Sequence, residues 1–360
     1  MKFIIVTQTF PPRKGGMQLV MKGLSEGLSE YAEVIIFLDH SCKESVNSKN
    51  FSIKMKPTLF PKIFRSYVKY IKLFFQEVNE EDIFICDSWK SVSAIPDTYS
   101  NKIVTLAHGQ EYLNQEKNTK RIKLALSKSD ILISTSVYTK NLIEKYQKKT
   151  SIKIIPPTYA MSDSLKIKIK NRRKGKVINL FSLTRIEKRK GLFETMDALS
   201  NLIKKNKILN WHWTIAGEGP ELNELKKKSK ELELETFVTF CGKINEMKKN
   251  KLFIDTDLFV MPSYKYKNSV EGFGIVYVEA AMYGIPSIGG IDGGIEDAID
   301  NNVTGWLVNP LIEKDLIELL KKTISSSKER KQKGVAAYKN YNKKFKGKES
   351  IKKFIEDISV

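Results

Sequence analysis

The feature that most constrains this chain is a repeated alternation of short apolar runs with segments of helical period. In the N-terminal half, KFIIVTQT, VIIFLD, DIFICDS, KIVTLAHG, DILISTS and IKIIPP read as strands buried on both faces. Between them lie segments such as MQLVMKGLSEGLSE and TKRIKLALSKS, whose apolar residues recur at helical spacing. Such an order predicts a parallel sheet flanked by helices. From Thr158 to Lys176 the chain turns polar and strongly basic (KIKIKNRRKGK) with no core pattern, which reads as a connection. A second alternation follows: KVINLFSLT, WHWTIAG, FVTFCG, DLFVMPS, IPSIGG and GWLVN. The expectation is an α/β protein of two doubly wound domains facing across a cleft, with ligands at the carboxyl ends of the strands. The boundaries expected are 1–157 for the first domain, 158–176 for the linker and 177–330 for the second domain. Residues 331–360 read as a C-terminal helix packing back on the first domain.

Composition narrows the function classes. The 360 residues, 41% hydrophobic, suffice for two cores. No apolar run approaches the ~20 residues of a membrane-spanning helix. The opening MKFIIVTQTFPP is too short in its apolar stretch for a signal peptide and reads as the first strand. Cys42, Cys86 and Cys241 have neither paired nor metal-type spacing, as expected of core thiols in a reducing cytoplasm. His40, His108 and His212 lie far apart, which argues against a structural zinc site. The net charge of +21 is shared: residues 1–160 carry 24 basic and 15 acidic side chains, residues 161–360 carry 38 and 26. Nucleic acid, anionic lipid and phosphorylated small molecules are all compatible with that balance. No nucleic-acid motif appears, nor the repeated aromatic-basic pattern that stacks bases, so nucleic acid is not an expected partner. No G-x-G-x-x-G follows the first strand, which argues against a dinucleotide dehydrogenase.

The motifs fall at strand ends. TFPPRKGGMQ follows the first strand, and Gly15-Gly16 opens a helix there, either as a phosphate-approach loop or as a plain turn. His108 begins HGQE at the end of KIVTLA and is either a structural histidine or, at a strand end of an α/β fold, a catalytic one. RIEKRKGLFE follows VINLFSLT. Its Arg185 and Lys190 bracket a turn and are either solvated charges or a clamp for a diphosphate. VEGFGIVYVEAAMYGIPS places Glu271 before a Gly-Phe-Gly turn and Glu279 eight residues later on the helix that follows, with Gly284 to end it. A helix that starts at a glycine turn offers unpaired N–H groups to an anion.

Taken together, these residues resemble the family 4 retaining glycosyltransferases, also described as glycosyl transferases group 1, of GT-B fold. The likeness rests on Gly15-Gly16, HGxE (His108 to Glu111), R-x4-K (Arg185, Lys190), AGEGP (Ala216 to Pro220), MPS (Met261 to Ser263) and E-x7-E (Glu271, Glu279). It continues through DGGIED and NNVTGWLVNP, in order, to Pro310. The resemblance implies two Rossmann-like domains, the acceptor side in the first and the nucleotide-sugar site in the second. It implies that Glu279 holds the nucleotide ribose and that Glu271 lies at the donor sugar. Backbone N–H groups of Phe273, Gly274 and Ile275 would meet sugar and diphosphate, and Arg185 and Lys190 would neutralise the leaving diphosphate. Gly16, with Gly15, would close over it, and His108 would lie near the reacting carbon or the acceptor. The implied activity is transfer of a hexosyl group, with retention, from a nucleotide-sugar to a saccharide or lipid-linked acceptor of surface polysaccharide or lipopolysaccharide. A nucleotide-sugar epimerase or hydrolase on the same fold is the alternative, and a non-enzymatic basic binding protein a weaker one.

Two departures from the family pattern stand out. SYKYKNSVEGFG lengthens the loop before Glu271, and Gln110 sits beside Glu111. Asp255-Thr256-Asp257 has the D-x-D spacing of metal-dependent sugar transferases, but it precedes LFVMPS rather than following it. It reads as a structural turn, with no metal or other cofactor expected. Lys62 to Phe75 is helix-periodic and basic; its apolar face, Phe64, Tyr67, Val68, Ile71 and Phe75, is expected to pack on the sheet. The other reading of that segment is contact with an anionic membrane, which would make a cytoplasmic protein peripheral on the inner face.

Overall fold

A computed structural model of the chain describes residues 1–13, 15–38, 51–53, 65–161, 177–206 and 208–359. The chain forms two compact units, Met1–Ser164 with Phe345–Val360, and Leu165–Lys344.

The first unit is built on a parallel sheet. Its elements run β1 (Lys2–Thr7), α1 (Gly16–Leu28), β2 (Glu33–Leu38), β3 (Phe51–Ile53), α2 (Arg65–Phe74), β4 (Ile83–Cys86), α3 (Trp89–Val92), β5 (Ile103–Ala107), α4 (Thr119–Ser127), β6 (Ile131–Ser134), α5 (Val137–Ile143) and β7 (Ser151–Ile154). The strand order is β3-β2-β1-β4-β5-β6-β7, with every pair parallel. β1 is apolar without alternation because both sheet faces are covered: Phe3, Ile4, Ile5 and Val6 are all buried. Ile4 pairs with Ile35 on one side and Phe84 on the other. On one face these join Val6, Phe37, Trp89, Leu126 and Leu132 in a single core.

The second unit repeats the plan with β8 (Ile178–Leu183), α6 (Leu192–Asn206), β9 (Trp211–Ala216), α7 (Leu222–Glu231), β10 (Val238–Gly242), α8 (Glu246–Asp255), β11 (Leu258–Met261), α9 (Ile275–Met282), β12 (Ser287–Gly290), β13 (Gly305–Val308), α10 (Glu313–Ser325) and α11 (Ser327–Lys344). Its parallel sheet has the order β10-β9-β8-β11-β12-β13. Trp211 and Trp213 are buried in its core, and their indole N–H groups donate to Ile208 O (3.1 Å) and Ser182 Oγ (2.9 Å). In each sheet the order reverses beside the first strand, at β1/β4 and at β8/β11. The carboxyl ends of those pairs are the places such sheets offer to ligands.

The single C-terminal helix expected over 331–360 is two helices in two units. α11 packs on α9 in the second unit, and α12 (Gly347–Ile358) packs on α1 in the first. Phe354 and Ile358 are fully buried there, and the Ser350 and Thr158 hydroxyls lie 2.6 Å apart. The amphipathic segment also differs from expectation. α2 turns Leu73 and Lys69 inward and leaves Tyr67, Tyr70, Ile71, Phe74 and Phe75 exposed. Phe64 and the start of that segment lie outside the described residues, as do His40, Cys42 and most of the 158–176 linker. Cys86 is buried, and burial pushes its thiol far above the ordinary value; Cys241 is half-buried, and both are free. Among the described residues no helix is long and apolar enough to cross a membrane.

Candidate active site

In the second unit the loops after β8 and β11 meet. The first runs through a 3-10 turn, Lys188–Lys190, and into α6 by way of Gly191, whose φ of 71° is left-handed. A Cβ there would lie 2.2 Å from Pro262 O, so only glycine lets this loop close on the one after β11. On the other side, Gly293 (φ 84°) comes so near that a Cβ would lie 2.1 Å from Glu271 O, and the next residue's N–H donates to that oxygen at 2.9 Å. Glu271 is thereby fixed by its backbone. Its carboxylate Oε2 accepts from Lys190 Nζ at 2.5 Å and from Arg189 Nη1 at 3.1 Å. Burial raises the Glu271 pKa, but the charges and hydrogen bonds of Lys190 and Arg189 outweigh it and hold the carboxyl below its ordinary value.

The two cations singled out by the R-x4-K spacing are therefore not equivalent. Lys190 is buried against Glu271, whereas the Arg185 side chain is 71% exposed and its Nε lies 3.2 Å from Glu187 Oε1. Arg189, which the motif reading passed over, reaches Glu271, and Glu187 accepts from its Nε at 3.0 Å. The lengthened loop is fastened to this turn. Tyr264 N–H donates to Arg189 O (2.8 Å), its hydroxyl donates to Glu194 (3.0 Å), and Lys265 N–H donates to Asp292 (2.8 Å).

α9 begins next to Glu271. Gly274 (φ 86°) caps it without any side-chain hydrogen bond, and Phe273 is buried just before it. Among the described residues the N–H groups of Gly274, Ile275 and Val276 meet no acceptor, so the start of α9 presents free donors at the carboxyl end of β11. Glu279 lies further along the helix and accepts from Lys249 Nζ of α8 at 2.8 Å. Lys249 also reaches Glu246 (2.9 Å); these carboxylates outweigh burial and raise its pKa.

In the first unit, exposed Gly15 and Gly16 open α1 after β1, with Gly15 at φ 154°. His108 follows β5. Its N–H donates to Glu111 Oε1 at 2.6 Å, across a turn made by Gly109 at φ 108°. Glu111 thus closes the HGQE turn, and its carbonyl accepts from the Trp89 indole at 3.2 Å. The His108 Nε2 is buried with no hydrogen-bond partner among the described residues. A second cluster escaped the sequence reading. Asp87, at the end of β4, is buried; its Oδ2 accepts from Thr7 Oγ1 (2.7 Å), Gln8 N (2.8 Å), Thr9 N (2.9 Å) and Thr9 Oγ1 (2.6 Å). Its Oδ1 accepts from Ser91 Oγ at 2.6 Å, and the buried Lys69 Nζ donates to Thr7 O at 3.0 Å. Burial raises the Asp87 pKa, but these hydroxyls and the Lys69 charge bring it below the ordinary value.

The D-x-D segment lies at the opposite end of the second sheet. Asp257 accepts from Asn179 N at 2.9 Å and the Asp255 carbonyl accepts from Asn179 Nδ2 at 2.9 Å, tying the amino ends of β8 and β11.

With this geometry in place, comparison with known proteins is informative. Residues 163–340, about half of the chain, match the family model described as glycosyl transferases group 1. Mannosylfructose-phosphate synthase of Agrobacterium fabrum is 30% identical over 52% of the chain and 43% of its own length. A GDP-mannose-dependent alpha-(1-6)-phosphatidylinositol monomannoside mannosyltransferase of Mycobacterium tuberculosis is 26% identical over 50% of the chain and 49% of its own length. The chain thus spans about half the length of these curated relatives. An uncharacterized glycosyltransferase of Methanocaldococcus jannaschii matches more widely, at 26% identity over 86% of the chain and 85% of its own length. Among solved structures, HepE of Anabaena in complex with UDP and glucose superposes with a TM-score of 0.73 at 17% identity, over 100% of this chain and 99% of that one. That likeness is one of fold, the GT-B fold of two Rossmann-like domains. Over residues 163–340 the chain belongs with the glycosyl transferases group 1 family.

Proposed function

We propose that the chain transfers a hexosyl group from a nucleotide-sugar to a hydroxyl acceptor, with retention of configuration. The observation that carries this reading is the pairing of Lys190 and Arg189 with Glu271 beside the unpartnered N–H groups that start α9. A departing nucleoside diphosphate gains negative charge as the bond to the anomeric carbon breaks. Lys190, the exposed Arg185 and a helix start suit that charge. The acceptor oxygen bonds the anomeric carbon, and its proton leaves to a phosphate oxygen of the diphosphate. Glu271 accepts from donor-sugar hydroxyls, Glu279 from the ribose, and Arg185 swings onto the diphosphate from its exposed position. His108, whose Nε2 is buried without a partner among the described residues, meets the acceptor. On this reading Arg185 and Lys190 supply the positive charge that a divalent metal gives in other sugar transferases, and no metal takes part. Thermal melting with UDP-, GDP- and ADP-sugars, then transfer assays with and without chelator, test the reading; ligand bound only to the folded state raises the melting point. Transfer that survives chelator is expected. Donor hydrolysed with every acceptor absent or ignored would favour a hydrolase, and activity lost to chelator but restored by manganese would end the metal-free mechanism.

The acceptor side of this reading is a saccharide or lipid-linked saccharide reached at an anionic membrane, with the chain peripheral on its cytoplasmic face. The phosphatidylinositol-linked acceptor in the name of the mycobacterial relative supports it, as does the outward face of α2. There Tyr67 and Phe75 are 63% and 79% exposed, in a half of the chain with nine more basic than acidic side chains. Aromatic side chains on a basic helix suit the headgroup region. Sedimentation with phosphatidylglycerol vesicles should carry the chain down at low salt, and Phe74→Asp with Phe75→Asp should release it. Wild type left in the supernatant would discard membrane contact.

A further inference from the structure

Lys190 and Arg189 both bind one oxygen of Glu271, Oε2, and its Oε1 meets no donor among the described residues. The two cations differ in what they can do for that carboxylate. An ammonium is a point charge on a flexible stem, so Lys190 neutralises Oε2 without fixing the plane of the carboxylate. Arg189 is a planar fork held at both ends. Its Nε is 3.0 Å from Glu187 Oε2, its Nη1 is 3.1 Å from Glu271 Oε2, and its backbone carbonyl accepts from Tyr264 N–H at 2.8 Å. The side chain is 11% exposed, against 71% for Arg185. Among the described residues Arg185 has one such contact, Nε to Glu187 Oε1 at 3.2 Å, so of the two arginines only Arg189 is held at both ends.

We propose that Arg189 is a positioning residue for Glu271: braced by Glu187, it holds the Glu271 carboxylate ionised and oriented, with Oε1 left to accept from the donor sugar. The inference rests on Glu271 as the donor-sugar ligand and adds the device that aims it. The groups facing Glu271 are Lys190 and Arg189 from the 3-10 turn and Tyr277 from α9, with Glu187 behind Arg189. Arg189 is one of two cations that offset the burial of Glu271, so its loss moves protonation of Glu271 to higher pH.

The test compares wild type, Arg189→Gln and Arg189→Lys as full chains. Donor kcat and KM are read across pH, together with the affinity of whichever of UDP, GDP and ADP stabilises wild type. Arg189→Gln should lower kcat by about 10- to 100-fold through misplacement of Glu271. The acidic limb of its rate profile should rise by about one pH unit. The free nucleoside diphosphate carries no sugar, and its affinity should stay within about threefold. Arg189→Lys keeps the charge but not the fork, so it should restore the acidic limb while recovering kcat only in part. Arg189→Lys also carries the test should the Gln variant fold poorly. A tenfold loss of nucleoside diphosphate affinity with an unmoved acidic limb would make Arg189 a phosphate ligand and overturn the proposal. Unchanged kinetics at every pH would overturn it too, while leaving the transferase reading intact. Wild type that neither binds nor turns over any sugar nucleotide would end both.

Discussion

Glu279 and Lys249 join α9 to α8 through a 2.8 Å contact, and that contact uses only one carboxylate oxygen. In the proposed reading the other accepts from the ribose, and a hydrogen bond from a hydroxyl to a carboxylate is worth roughly 1.5–3 kcal/mol. Glu279→Gln is expected to weaken binding of the free nucleoside diphosphate by about 10- to 100-fold in a titration. Stability should fall by no more than about 1 kcal/mol, because Lys249 keeps its 2.9 Å partner Glu246. Unchanged affinity would remove Glu279 from the ribose. Both glutamates could be read from the chain, because a glycine turn followed by a capped helix fixes where each must stand. The cations could not be sorted in the same way. In RIEKRKG five charges lie within six residues, and as a sequence they look like one solvated run. Which of them turns inward is decided by the 3-10 turn at Lys188–Lys190 and by the left-handed Gly191. Lys190 and Arg189 go to Glu271, while Arg185 stays in solvent. Lys190 is therefore a buried partner of Glu271 and not a solvated charge. Replacing it would leave the buried Glu271 with one cation, so a loss of rate in such a variant would be mixed with a loss of stability.

At the level of elements, strands were legible and their polar ends were not. DIFICDS reads as a buried strand, but nothing local marks Asp87, because its donors Thr7, Gln8 and Thr9 lie 78–80 residues away. Only the parallel pairing of β1 with β4 brings them together, Val6 opposite Cys86. The result fixes the exit of β1, the segment that leads to Gly15 and Gly16. α2 failed for a related reason: its amphipathicity is plain in sequence, but an apolar stripe says nothing of whether the sheet or solvent takes it. Lys69 settles the matter by running inward to the Thr7 carbonyl, which turns Tyr67, Ile71 and Phe75 outward. Asp87→Asn removes a buried charge that accepts from both chains of donors and faces Lys69. It is expected to lower stability by about 2–3 kcal/mol at neutral pH, measured by urea unfolding. The sign of the pH dependence follows from the folded-state pKa of Asp87, which is below the ordinary carboxylate value. Its stabilisation is fully present above that ordinary value and is lost as pH falls through the folded one. The gap between wild type and variant should therefore hold from neutral pH down to about pH 4 and close only in stronger acid. A gap already closed at pH 5 would contradict the assignment.

Over the whole chain, the two sheets were legible because parallel strands covered on both faces read as unbroken apolar runs, and Ile4–Val6 and Leu258–Met261 are buried as such runs should be. The return of the chain was legible only in part. Residues 331–360 read as helix with Gly334 and Gly347 as the local break signals, but neither glycine tells which unit each part joins, since the partners that divide them are remote. α11 sets Gly334 against the Gly284 carbonyl in the second unit, whereas α12 sets Ile351 against Gly27 of α1 in the first. The first unit is therefore closed by the last residues of the chain, and a consequence can be measured. Removing Phe345–Val360 takes away Phe345, Ile351, Phe354 and Ile358, all at most 4% exposed, together with the Ser350–Thr158 hydroxyl contact. At about 2 kcal/mol for each buried side chain, the loss approaches the entire stability of an ordinary domain. A chain ending at Lys344 should thus lose the first unit and keep the second, whose own last helix, α11, is intact. Limited proteolysis is expected to digest the first unit and to leave a resistant fragment that contains the second unit and ends at Lys344. Calorimetry should show the remaining transition near its full-length position. Phe354→Asp, which buries a charge where the full chain has a phenyl ring, should give the same pattern more mildly. A truncated chain that resists protease throughout its length would mean that α12 decorates the first unit rather than completing it.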